Sequence, residues 1–210
     1  MKYIEKLQYI TNDHPNLSHV EQVQLACEAG AKWVQYRCMS KPDEALLSDI
    51  NAIAEICDDW GTTLIVSEHV HFAGKADIQG FHIEQANPDF TALRKLVGND
   101  ITLGGFANHF SDITRFANDG ADYVTYGQLS ATAIAANDLS PFSLDAYREA
   151  ATKLRELNLQ LPVLAVGAIT LPDVAPLMEA GIYGVAISEV ISSADDFIEA
   201  YQDFYDAVKG

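Results

Sequence analysis

Arg37 closes the run Trp33-Val34-Gln35-Tyr36-Arg37, and of the thirteen Lys and Arg residues it alone ends a strand-like apolar stretch. A guanidinium held at the end of a strand suits bidentate binding of phosphate or carboxylate. The structural alternative is a rim ion pair with Glu68 or Asp13. Other polar groups stand at comparable places: Thr11, Asn12 and Asp13; Gln35 and Cys38; Ser67, Glu68 and His69; His82, Glu84, Gln85 and Asn87; Asn108; Ser188 and Glu189. The stretch YGQLSATAIAAND (126–138) follows a β-branched, aromatic run and carries no charge between Gly127 and Asp138. Loops of small and hydroxyl residues at strand ends cradle phosphates with backbone N–H groups.

Two histidine arrangements invite a metal. His69 and His71 on a strand would share one side and could ligate zinc. The segment reads instead as the start of a helix over 69–76, where a spacing of two turns the rings about 200° apart. His82 and Glu84 share a face if their strand continues, which gives a hydrogen-bonded interior pair. A hard cation held by Glu68 and a second oxygen ligand is compatible with the residue types. Near the end of the chain, Gly167 allows close backbone approach and Ser188 precedes a short helix, a pairing suited to a phosphate. Glu189 places a negative charge at that same helix start.

The elements that must position these groups are short. Continuous apolar β-type runs lie near 7–11, 33–37, 63–67, 79–83, 101–105, 122–126, 162–166 and 183–187, as expected of parallel strands buried on both faces. Amphipathic helical patterns fall at 18–29, 43–59, 89–97, 111–118, 142–157, 172–180 and 194–208. Asn87-Pro88 reads as an N-cap followed by proline at the first helical position, Ser111 and Thr170 read as N-caps, and Gly61 and Gly98 as stops. CEAGAKWVQY (27–36), ANDGADYVTY (117–126) and MEAGIYGVAI (178–187) share one plan: a helix ends, a glycine reverses the chain and a buried strand begins. Eight such units in 210 residues predict an α/β fold, a compact (β/α)₈ TIM barrel of parallel strands forming one domain over 1–210. A doubly wound sheet is the alternative, but TNDHPN (11–16) is not a glycine-rich first loop. In such a barrel the chemistry lies at the C-terminal ends of the strands.

A net charge of −17 argues against nucleic acid and anionic membranes as partners. Three cysteines without C-x-x-C spacing suggest a reducing, cytoplasmic setting rather than a disulfide framework. MKYIEKLQYITND lacks the apolar region of a secretory leader, and the longest apolar run, 161–169, is too short to span a bilayer.

The ordered series YITND, VQYR, VSEHVHFA, GFHIEQANP, GADYVTYGQLSAT, LPVLAVGAIT and AGIYGVAIS resembles the thiamine phosphate synthase and TenI-like (thiazole tautomerase) barrels from the first strand to the last helix. The resemblance implies a transferase of thiamine biosynthesis that joins hydroxymethylpyrimidine pyrophosphate to thiazole phosphate and releases pyrophosphate with Mg²⁺. It implies catalytic roles for Arg37, Gln35 and Thr132. It implies substrate and phosphate contacts from Gly167, Ala168, Ile187, Ser188, His82, Gln85 and Gln128, and metal ligation by Glu68 and Asn87. The partners implied are small phosphorylated substrates and, as in related barrels, a second copy of the chain. Met39, Asn87, Phe106, Ile134 and Ala135 stand where the family pattern has lysine, aspartate, serine, threonine and lysine, which predicts a degraded active site. The alternative expectation is a TenI-like or non-catalytic barrel that binds thiazole phosphate, although Gln128 stands where the tautomerase pattern has histidine.

Overall fold

The computed structural model describes residues 2–127 and 143–210. Eight parallel strands close into a barrel in chain order: β1 Leu7–Ile10, β2 Trp33–Tyr36, β3 Thr63–Ser67, β4 Gly80–Ile83, β5 Thr102–Ala107, β6 Tyr123–Gly127, β7 Val163–Val166 and β8 Gly184–Ile187. The barrel closes where Leu7 pairs with Val185. Among the described residues, helices α1 His19–Glu28, α2 Asp43–Trp60, α3 Phe90–Val97, α4 Phe110–Asp119, α5 Leu144–Glu156, α6 Leu171–Glu179, α7 Glu189–Ser192 and α8 Phe197–Lys209 follow the strands, with no α-helix between β3 and β4 and two after β8. The expected barrel is therefore the observed fold, and every expected strand is present.

Side chains alternate along each strand, so a single register sorts them into two cores. The larger core lies between strands and helices and includes Tyr9, Val34, Phe81, Leu103 and Val185. The smaller fills the barrel with Ile10, Trp33, Ile65, Tyr123, Leu164, Val166 and Ala186, with Phe106 against it. Trp33 meets Tyr123 edge-on at 4.8 Å, a geometry worth about 0.5–1.5 kcal/mol beyond its buried area. A Cβ on Gly104 would collide with the Tyr123 ring, so the bare backbone of β5 makes room for that phenol.

Several boundaries move, each because another side chain takes the capping position. Helix α3 is capped by Asp89, which accepts from Ala92 N at 2.8 Å, rather than by Asn87 ahead of Pro88. Helix α4 begins at Phe110 behind His109, whose backbone N–H donates to Asp112, which leaves Ser111 inside the helix. Thr170 does cap α6, with Asp173 returning a bond to its N–H. Gly61 ends α2 in the left-handed conformation. The helix expected over 69–76 is a single 3-10 turn, Val70–Phe72.

Candidate active site

The C-terminal ends of β1, β2, β7 and β8 surround a cavity of about 420 Å³ whose lining includes Thr11, Asn12, Arg37, Gly167, Ala168, Ser188 and Glu189. Gly167 sits at φ 137, a conformation only glycine adopts without strain, and this brings the main chain of the β7 end to the cavity wall. Ser188 precedes α7 and makes no capping hydrogen bond with its side chain. Asn12 carries a buried carbonyl oxygen that no described protein group satisfies, an arrangement that costs about 1–3 kcal/mol unless a ligand or water donates to it.

Arg37 lines this cavity, and its partner is neither Glu68 nor Asp13. The guanidinium grips Glu84 through Nε at 2.9 Å and Nη2 at 2.9 Å. Burial acts against its charge, but the hydrogen bonds and charge of Glu84 more than offset that, so the group is held firmly cationic. Ser67 donates to Glu84 at 3.1 Å and Gln35 donates to Ser67 at 2.8 Å, so Gln35 reaches the cavity only through this chain. Among the described residues, Arg37 is the only cation on the cavity and Glu189 the only carboxylate. Lys41, the nearest other cation in sequence, pairs with Asp49 at 2.6 Å. Arg94 and Lys2 are held at the opposite end of the barrel by Asp122, just before β6.

Two expectations are corrected here. His82 does not pair with Glu84 and does not reach the cavity. It is fully buried inside the barrel, with Nδ1 3.1 Å from the Tyr123 hydroxyl and Nε2 3.2 Å from Thr125 Oγ1. Both ring nitrogens are thus engaged within the barrel, and the ring does not line this cavity. Ile187 belongs by strand parity to the outer core, so its side chain faces the helices while Ala186 and Ser188 face the cavity.

The buried His82 gives the fold a pH dependence. Burial lowers its pKa from the ordinary 6.5 to about 4. Between those values the unfolded chain binds a proton that the folded chain excludes, so stability falls on acidification. Wild-type protein is expected to lose about 2 kcal/mol more than a His82→Asn variant between pH 7 and pH 5. Urea denaturation of both proteins at the two pH values measures this, and equal losses would reject the assignment.

The remaining site residues form a second group. Glu68, at φ 59, accepts the backbone N–H groups of Glu84 and Gln85 with Oε1 at 2.5 and 2.8 Å. Asn87, at φ 55, shares a neighbouring cavity of about 350 Å³ with Gln85, Phe106 and Asn108. Non-glycine residues in this conformation carry local strain, which concentrates at functional sites. Glu68 therefore braces the segment bearing Glu84, Gln85 and Asn87. His69 and His71 are engaged by the Cys38 carbonyl and by Asp43. Donor atoms of Asp13, His19 and Cys38 lie within 4.8 Å of one another, but His19 already bridges Thr11 and Asp13 at 2.8 and 3.0 Å. That network ties α1 to the rim, and Thr11 in turn accepts the Arg37 N–H at 3.0 Å. His19 is the contributor that sequence patterns did not single out, and Glu84, expected beside His82, instead meets Arg37 from 47 residues away. Gln128, Thr132, Ile134 and Ala135 lie outside the described residues.

Comparison with known proteins follows the same path around the barrel. The family model described as thiamine monophosphate synthase matches residues 7–191. A thiamine-phosphate synthase of Phocaeicola vulgatus is 32% identical over 192 residues, covering 91% of this chain and 92% of its own. One from Bacteroides thetaiotaomicron is 32% identical over 191 residues, covering 90% of this chain and 91% of its own. Among solved structures, a thiamine phosphate pyrophosphorylase from Pyrococcus furiosus superposes with a TM-score of 0.84 at 20% identity, covering 97% of this chain and 95% of that one, a likeness of fold.

Proposed function

The chain belongs to the thiamine monophosphate synthase family, and from that premise we propose that it joins hydroxymethylpyrimidine pyrophosphate to thiazole phosphate at the 420 Å³ cavity. The observation that carries this reading is the convergence of Arg37, Gly167, Ala168 and Ser188 on one cavity, from the ends of β2, β7 and β8. In the reaction a carbon–nitrogen bond forms to the thiazole nitrogen, the carbon–oxygen bond to pyrophosphate breaks, and pyrophosphate leaves with the bonding electrons. Arg37 meets the departing negative charge, which is the charge a site must stabilise in the transition state. Gly167, Ala168 and the Ser188 hydroxyl hold the phosphate of the second substrate, with the main chain beside Ile187 as part of the same wall. Gln85 is assigned to the pyrimidine and pyrophosphate, and the family resemblance assigns Gln128 and Thr132 to the same substrate.

Glu68 and Asn87 are the residues that would hold Mg²⁺. An all-oxygen donor set with one carboxylate oxygen not engaged by any described protein group suits a hard cation, which completes its shell with water and substrate phosphate. The metal would supply positive charge to the leaving pyrophosphate. Glu84 cannot share in this while it is bound bidentately by Arg37. With one paired cation among the described residues of the cavity, Glu189 on the same cavity and a net charge of −17, slow turnover is the expected outcome. The buried free thiols Cys27, Cys38 and Cys57 suit a cytoplasmic setting. No helix of the described residues is long and apolar enough to cross a membrane.

Thermal shift tests the binding half of this reading. Thiazole phosphate is expected to raise the melting temperature in a saturable way, and the unphosphorylated thiazole to do so far less. Absence of any shift with thiazole phosphate, pyrimidine pyrophosphate or thiamine phosphate would remove the reading.

A further inference from the structure

We propose that Glu84 is a resident counter-anion of Arg37 that a phosphorylated ligand must displace, which makes Glu84 a specificity-determining residue against highly charged anions. This rests on the reading of Arg37 as the phosphate-binding cation. A guanidinium offers five N–H donors, and Glu84 takes its Nε and Nη2 edge at 2.9, 3.1 and 2.9 Å. That is the forked geometry with which arginine binds phosphate. Glu84 is also no loose surface partner. Its side chain is 10% exposed against 36% for Arg37, so the cation is the more accessible member of the pair.

Three further contacts hold the carboxylate in place. Ser67 donates to it at 3.1 Å, and Gln35 orients Ser67 at 2.8 Å. Glu68 fixes the Glu84 backbone at 2.5 Å. Arg37 lines the cavity and Glu84 does not, so an arriving anion meets a cation whose better edge is already filled from behind. Entry therefore exchanges one bidentate partner for another. The field of a second carboxylate, Glu189, adds to the cost of a multiply charged ligand. A purely orienting role for Glu84 makes the opposite prediction, since an arginine released from its support would bind anions less well.

Glu84→Gln keeps the shape and an acceptor oxygen but removes the charge, and Glu84→Asp keeps the charge on a shorter arm. Calorimetric titration with inorganic pyrophosphate in the absence of metal is expected to show about tenfold tighter binding for Glu84→Gln than for wild type, the weight of one charge-assisted hydrogen bond. The Glu84→Asp variant is expected to stay within about threefold of wild type, less than half of that bond's weight. Equal or weaker binding by Glu84→Gln, or an equal gain in Glu84→Asp, overturns the proposal. Wild-type protein provides a second test that needs no variant. The Arg37 Nε–H resonance is expected to move as pyrophosphate saturates the site, and a resonance that stays put at saturation also overturns it. Both readings use binding alone. A protein that turns over no thiamine precursors yet tightens on pyrophosphate in Glu84→Gln would retire the synthase reading and leave the role of Glu84 standing.

Discussion

Replacing Arg37 by methionine is expected to lower kcat/KM for thiamine phosphate formation by about 100-fold or more. Two charge-assisted hydrogen bonds to a departing pyrophosphate are worth roughly 1.5–3 kcal/mol each, and about 1.4 kcal/mol corresponds to a factor of ten. Arg37 is the only cation that the described residues bring to the cavity, so no neighbour takes over its role. The substitution also uncovers Glu84, whose carboxylate then repels the substrate it formerly faced only through the ion pair. Arg37→Lys keeps the charge but not the fork, and an intermediate loss of about tenfold is expected. Adding Glu84→Gln to Arg37→Met is expected to recover part of the loss by removing the bare carboxylate. Steady-state kinetics on the four proteins, with urea melts to confirm folding, measure this series. Activity in Arg37→Met within threefold of wild type would take Arg37 out of the chemistry.

Gly127→Ala is expected to cost at least about 3 kcal/mol of stability and to abolish activity together with the barrel mouth. A Cβ there would press into the carbonyl oxygen of Val166, and at φ 146 an L-residue is strained before any contact is made. Neither neighbour can yield easily. Val166 is the ladder partner of Gly127 at the end of β7 and lines the cavity. The Tyr147 hydroxyl, 2.7 Å from the same Cβ, is engaged with the Tyr126 carbonyl. Gly181→Ala is the comparison: it also has positive φ, but its Cβ would meet only the Ala151 methyl at 3.3 Å. A loss of about 1 kcal/mol is expected there. Urea denaturation separates the two, and similar costs would show that the Val166 contact does not matter.

The strands were legible because each is buried on both faces, so runs such as Pro162-Val163-Leu164-Ala165-Val166 stay apolar throughout. Helix ends were less so. Asp89 and His109 out-compete Asn87 and Ser111 as caps, and nothing in composition ranks one short polar residue over its neighbour. The cavity wall at Gly167 and Ser188 was legible because it depends on local chain shape. The Arg37–Glu84 pair was not, since its members are 47 residues apart and meet only through barrel closure. The depth of His82 was hidden for a related reason. Whether a strand residue sits at the mouth or within depends on how far each strand is staggered, and sequence alone does not carry that.

The most direct measurement is a discontinuous assay of the purified chain with hydroxymethylpyrimidine pyrophosphate, thiazole phosphate and Mg²⁺, following both products. The expected result is slow formation of thiamine phosphate and pyrophosphate in equal amounts, dependent on both substrates and strongly reduced in Arg37→Met. No thiamine phosphate after long incubation at high enzyme concentration, with both substrates shown to bind, would contradict it.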